Sequence, residues 1–187
     1  LEKLWGEHIH LGYYSKSSKS IDFKQAKIDF VHHLVHWSGL DKLPKGSRII
    51  DIGCGTGAIG TAVASSMATQ PELLGLDRST WAVAETRNTY RHFGLRGQSR
   101  KATLPGGMPR ASKGDLIVAG WAINELEDKP RDALLSEIGR SCKRGAGLII
   151  FEPISQKICP WWSEWIRSFA PYGGKESLAK FRWKRPI

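Results

Sequence analysis

Apolar residues change their spacing several times along the chain, and each change marks an element. From Asp22 to Trp37 they fall at Phe23, Ala26, Phe30, Leu34 and Trp37, the spacing of a helix with one buried face. Gly39 can stop that helix, and Asp41-Lys-Leu-Pro-Lys-Gly46 reads as a connector. Arg48 to Ile52 is then apolar without alternation, as in a strand covered on both faces. Similar runs return at Leu73 to Leu76, Leu116 to Ala119 and Leu148 to Phe151. Helical segments lie between them: Gly57 to Met67, Trp81 to Phe93 with Ser79 or Thr80 as N-cap, and Arg131 to Cys142 behind Asp128 and Pro130. A weaker strand is expected near Gln98 to Leu104. Strand alternating with helix predicts an α/β fold, a doubly wound and mainly parallel sheet of Rossmann-like form.

The 187 residues suffice for one domain with a full core, and no repeat, low-complexity tract or second domain interrupts them. We expect a single domain over 1–187, with a lid and helix in 1–46 and an α/β core in 47–187. No run of about 18 apolar residues is present, so no membrane span is expected. The chain starts without the blocks of a secretory signal, and Cys54, Cys142 and Cys159 stand in no CxxC spacing. Both features point to a reducing, cytoplasmic setting.

The formal charge of +10 is unevenly placed: from Arg140 onward ten Lys/Arg stand against three Glu, and Arg91 to Lys113 holds six basic residues and no acid. Clustered positive charge suits a nucleic-acid or anionic-lipid partner, and it also serves plain solubility.

The strongest chemical signal is Ile49-Ile-Asp51-Ile-Gly53-Cys-Gly55-Thr-Gly57. A strand ends in an acid, turns on alternate glycines and enters a helix. Glycine permits positive φ and the close approach of a ligand to bare backbone. A second strand ends in Asp77, roughly 20 residues beyond the last glycine, where a carboxylate reaches a ribose diol. A nucleoside-containing cofactor is the reading; a structural βα turn and a nicotinamide-dinucleotide site are the alternatives.

Asp51-Ile-Gly-Cys-Gly-Thr-Gly57 resembles the first motif of class I methyltransferases that use S-adenosylmethionine (SAM). The resemblance implies SAM as cofactor, with Asp51, Gly53, Cys54 and Gly55 along its methionine end and Asp77 on its ribose. It further implies Arg78 beside the adenosine, Leu104 near adenine and Trp121, in Gly120-Trp-Ala-Ile-Asn-Glu125, facing cofactor and substrate. The family often has an acid after the third strand, where this chain has Lys101-Ala102-Thr103. Trp5-Gly-Glu-His-Ile-His-Leu-Gly-Tyr-Tyr14 is similar to a lid segment of tocopherol- and plastoquinone-pathway methyltransferases. Later stretches, including Gly75-Leu-Asp77-Arg-Ser, Glu152-Pro-Ile and Pro160-Trp-Trp-Ser-Glu-Trp165, are similar to an uncharacterised bacterial group distantly like ribosomal small-subunit methylases. Family members usually end with two further strands; here Gly173-Gly174 and Pro186 leave little room, so those strands are expected to be reduced or missing.

The implied activity is methyl transfer from SAM to a small aromatic or quinol-like molecule or to RNA. The alternative is a SAM-binding module of this fold without turnover, as an assembly factor or an engineered or truncated fragment. No catalytic residue is assigned. His32 and His36 have chelating spacing but read as solvated surface, and no metal is expected. His8 or His10 could act as a general base or simply pack in the lid. Cys54, near a helix N-terminus, is expected to have a lowered pKa. Glu125 and Glu152 could orient substrate or bond backbone amides. Trp161, Trp162 and Trp165 read as packing residues, with base stacking or a bilayer contact as the alternative.

Overall fold

The computed structural model describes residues 32–33, 35–39, 43–152 and 157–174. The lid segment with His8 and His10, most of the first expected helix and the terminal residues 175–187 lie outside these. Residues 32–38 include helix at every described position, with Val35 buried and His32 and His36 exposed.

The core alternates as the apolar runs require. It comprises β1 (Arg48–Ile52), α1 (Ala58–Ser65), β2 (Glu72–Asp77), α2 (Thr80–His92), β3 (Gly97–Lys101), β4 (Asp115–Gly120), α3 (Asp128–Lys143), β5 (Gly147–Phe151) and α4 (Trp162–Phe169). The five strands form one parallel sheet in the order β3-β2-β1-β4-β5. Strands with both faces covered need apolar residues at every position, and the two cores share them out. Ile50, Ile52, Ile117 and Ala119 face Leu134 and Ile138 of α3 and Trp165 of α4. Ile49, Leu116 and Val118 share the opposite core with Val35, with Val63 of α1 and with Tyr90 of α2. Period-two side-chain alternation therefore hides inside continuous apolar runs.

Most expected elements stand within a few residues of their places. Ser79 caps α2 by accepting a bond from the Ala82 amide at 3.3 Å. α3 begins one turn earlier than expected, with Glu127 rather than Asp128 at the N-cap. Pro130 costs no hydrogen bond in a first turn, whose amides have no helical acceptor, and Asp128 inside that turn pairs with Arg131. β3 is shorter and more polar than expected because it is an edge strand: only Ser99 is buried, its hydroxyl donating to the Val83 carbonyl at 2.7 Å. Trp161 and Trp165 are buried with ring centroids 5.0 Å apart, so at least these two of the three tryptophans pack.

Candidate functional site

Strand order reverses direction beside β1: β2 and β3 extend to one side, β4 and β5 to the other. The loops leaving the carboxyl ends of β1 and β4 diverge at that point, which makes it the natural ligand crevice of such a sheet.

The β1–α1 turn forms one wall. Gly53, Gly55 and Gly57 have φ of +64, +53 and +78°, so each occupies the left-handed region that a side chain disfavours. They differ in surroundings. A Cβ on Gly53 would lie 2.3 Å from that of Ala122, whereas a Cβ on Gly55 would meet nothing within 4 Å. Gly53 thus closes the turn against the β4 loop, and Gly55 presents bare backbone to open space. The Cys54 amide donates to the Leu76 carbonyl at 3.0 Å, tying the turn to β2.

Asp77, at the end of β2, organises the second wall. One carboxylate oxygen accepts from the Gly55 amide at 2.9 Å and the other from the Ser79 amide at 2.8 Å. The Thr86 hydroxyl of α2 donates to the Gly55 carbonyl at 2.8 Å and lies 3.2 Å from Cys54 Sγ. Thr86 is a site residue that the sequence reading missed. Its only sequence signal is a threonine at a buried position of a helix, which reads as core.

Asp51 is brought to the turn but not to its surface. It is 1% exposed, and its Oδ2 accepts from the Gly60 amide at 3.1 Å near the start of α1. Burial, reinforced by the charge of Asp77 and opposed by the Gly60 amide, pushes its carboxyl up to about 7. The folded state then keeps a proton that the unfolded chain releases. This stability is complete below the ordinary carboxyl range and is lost as pH rises through about 7. Glu152, also raised to about 7 by burial, acts with the same sign. We expect the melting temperature to fall as pH rises from about 4 to about 7, and Asp51→Asn to flatten that fall. Parallel profiles for the two proteins would remove Asp51 as a titrating group.

Cys54 corrects an expectation. Its thiol is raised, not lowered, by burial and by the nearby Asp51 and Asp77 charges; the Thr86 hydroxyl opposes this only in part. Desolvation and two carboxylates outweigh the helix terminus.

Across the crevice, the β4 loop is held by β5. Trp121 has φ +54°, the single non-glycine residue with positive φ among the described residues. Its amide donates to the Phe151 carbonyl at 2.8 Å, and its ring stacks on Phe151 at 6.5 Å. Glu152 Oε1 accepts from the Ile123 and Asn124 amides at 2.9 and 3.4 Å. Glu152 Oε2 and Asn124 Oδ1 are buried without hydrogen-bond partners among the described residues. Arg78, from the end of β2, reaches Glu125 of the β4 loop at 3.9 Å; both are largely exposed, so the pair contributes little stability. Leu104 is half-buried against the α3-side core. Among the described residues no group of three or more His, Cys, Asp or Glu could hold a metal ion.

The sequence profile of a methyltransferase domain matches residues 49–145. A 57-residue stretch is 54% identical to a 2-methyl-6-phytyl-1,4-hydroquinone methyltransferase from Synechocystis sp., covering 30% of this chain and 18% of that protein. Another of 64 residues is 44% identical to ribosomal RNA large subunit methyltransferase G of Streptomyces avermitilis, covering 33% of this chain and 14% of that protein. The chain therefore matches less than a fifth of the length of either relative. In structure it resembles coclaurine N-methyltransferase bound to N-methylheliamine and S-adenosylhomocysteine (SAH), with a TM-score of 0.55 and 18% identity over 75% of this chain and 39% of that one. Reversal of strand order at a glycine turn tethered to Asp77 and a profile spanning residues 49–145 agree: the chain belongs to the methyltransferase-domain family.

Proposed function

We propose that the crevice binds SAM and that the protein transfers its methyl group to an acceptor. The observation that carries this is the pairing of an open Gly55 with Asp77 on its amide. A ligand can lie directly on the Gly55 backbone, because nothing stands within 4 Å of its missing Cβ. Each Asp77 oxygen accepts one amide and retains a lone pair, which suits a sugar diol. The related fold holding SAH in coclaurine N-methyltransferase supports the same ligand class.

SAM supplies a methyl group already activated on a sulfonium. The chain's own residues then need to bind, orient and exclude water, and positioning alone can lower such a barrier by several kcal/mol. Gly53, Cys54 and Gly55 would shape the methionine end, with the buried Asp51 bracing the turn from behind through Gly60. Asp77 would hold the ribose, with Arg78 and Leu104 toward the adenosine and Trp121 toward the acceptor. Residues 1–46 would serve as the lid of a single domain. The acceptor classes are a quinol-like ring, as named for the Synechocystis relative, and RNA, as named for the Streptomyces one. No helix among the described residues is long and apolar enough to cross a membrane. All three cysteines are free, which suits a cytoplasmic location.

Calorimetry with SAM and with SAH is expected to show binding of both. Incubation with SAM and either a hydroquinone or total RNA should release SAH. Absence of heat with both ligands would overturn the reading; binding without SAH release from any acceptor would leave a module without turnover.

A further inference from the structure

A second concavity lies away from the crevice, on the α3 side of the sheet. It has a volume of about 520 Å³, and its lining includes Met108 and Arg110 of the β3–β4 loop and Glu137, Arg140 and Arg144 of the α3 region. Helical spacing puts Glu137, Arg140 and Arg144 on one face of α3 and its C-cap. Arg144 is fixed there, its Nε donating to the Ala111 carbonyl at 2.8 Å and its Nη2 to the Ser141 hydroxyl at 3.0 Å. The Arg110 carbonyl accepts from Arg48 Nη2 at 3.0 Å, beside the Arg48–Asp115 ion pair. Arg48 and Asp115 open β1 and β4, so the Arg110 end of the pocket lies toward the amino edge of the sheet.

Arginines near a helix C-terminus can simply complement its dipole, and Glu137 does pair with Arg140 at 2.6 Å. Glu137 also lies 3.7 Å from Arg144, yet it is the one acid in a concave lining that holds three arginines, so positive charge is in surplus there. Guanidinium forks match phosphate oxygens in geometry and charge. The same lining carries apolar surface from Pro105 and Met108, which a sugar or base can cover. Exposed Arg100, Lys113 and Lys143 extend positive charge beyond the pocket, as a polyanion needs and a single phosphate does not.

We propose that this pocket grips backbone phosphates of single-stranded RNA, docking the strand on the α3 face while its continuation reaches the crevice. The proposal rests on the methyl-transfer reading for what the RNA does there, but the pocket and the crevice share no residue.

The test is fluorescence anisotropy of a short fluorescein-labelled single-stranded RNA over a potassium chloride series. Arg110→Ala/Arg140→Ala is compared with Arg91→Ala/Arg96→Ala, which removes equal charge on the α2 side. The pocket variant is expected to bind about tenfold more weakly, with a salt slope shallower by about 0.7 for each phosphate it no longer neutralises. The control pair should stay near wild type, and SAH affinity should be unchanged in both. Wild-type affinity in the pocket variant, or an equal loss in the control, would overturn the proposal. So would binding to phosphatidylserine vesicles or to inorganic phosphate without binding to RNA. If SAH fails to bind while RNA behaves as expected, the cofactor reading falls and the pocket stands.

Discussion

Gly53→Ala is expected to lose about 2–5 kcal/mol of stability and most of the SAM affinity. The left-handed φ of +64° costs an alanine about 1–2 kcal/mol. The new methyl would also sit 2.3 Å from the Ala122 Cβ, an atom fixed to backbone, and forced overpacking of that kind adds about 1–3 kcal/mol. For a chain of 187 residues this corresponds to a fall of roughly 4–20 °C in melting temperature. Gly55→Ala provides the contrast. It bears the conformational cost without the clash, so it should remain within about 2 kcal/mol of wild type while its methyl occupies the ligand's place. Thermal unfolding and SAH calorimetry on the two variants separate fold from binding. A Gly53→Ala protein as stable as wild type would mean that the turn and the β4 loop do not meet as described.

Asp77→Ala is expected to lower SAH affinity roughly 5- to 150-fold, the equivalent of about 1–3 kcal/mol. Two effects combine. In the proposed complex the ribose would lose its acceptor, and the Gly55 and Ser79 amides lose the carboxylate that orients the turn. Asp77→Asn retains one acceptor oxygen and should fall between the two. Because Asp77 is only part-buried, water can re-solvate both amides, and the thermal penalty should stay well below that of Gly53→Ala. Undiminished affinity in Asp77→Ala would remove the ribose role.

The fold was legible because a parallel sheet writes itself as continuous apolar runs such as Ile49 to Ile52 and Leu116 to Ala119, and glycines and caps mark the joints. The positive-φ glycine turn and the placement of Asp77 beside it were legible because local backbone geometry at fixed spacing sets them. What escaped depends on long-range packing. The Thr86 bond to Gly55 joins residues 31 positions apart, and the Glu152 clamp on the Ile123 and Asn124 amides joins residues 29 and 28 apart. The misjudged Cys54 thiol belongs with these: helix proximity is visible in sequence, whereas burial under Thr86 and Tyr90 and the field of two acids are not. The arginine pocket was visible only as excess charge, since nothing in the order of residues brings Arg110 to Arg144.

The state of Cys54 bears on how such a site survives its own chemistry. An electrophilic sulfonium beside a free thiolate would alkylate it, and thiolates are the most reactive nucleophiles that a protein carries. Here the sulfur is shut behind Gly75 and Thr86 and kept protonated by desolvation and neighbouring carboxylates. With SAM bound as proposed, the sulfonium would meet no thiolate in the bend, so a small thiol can fill it without being alkylated.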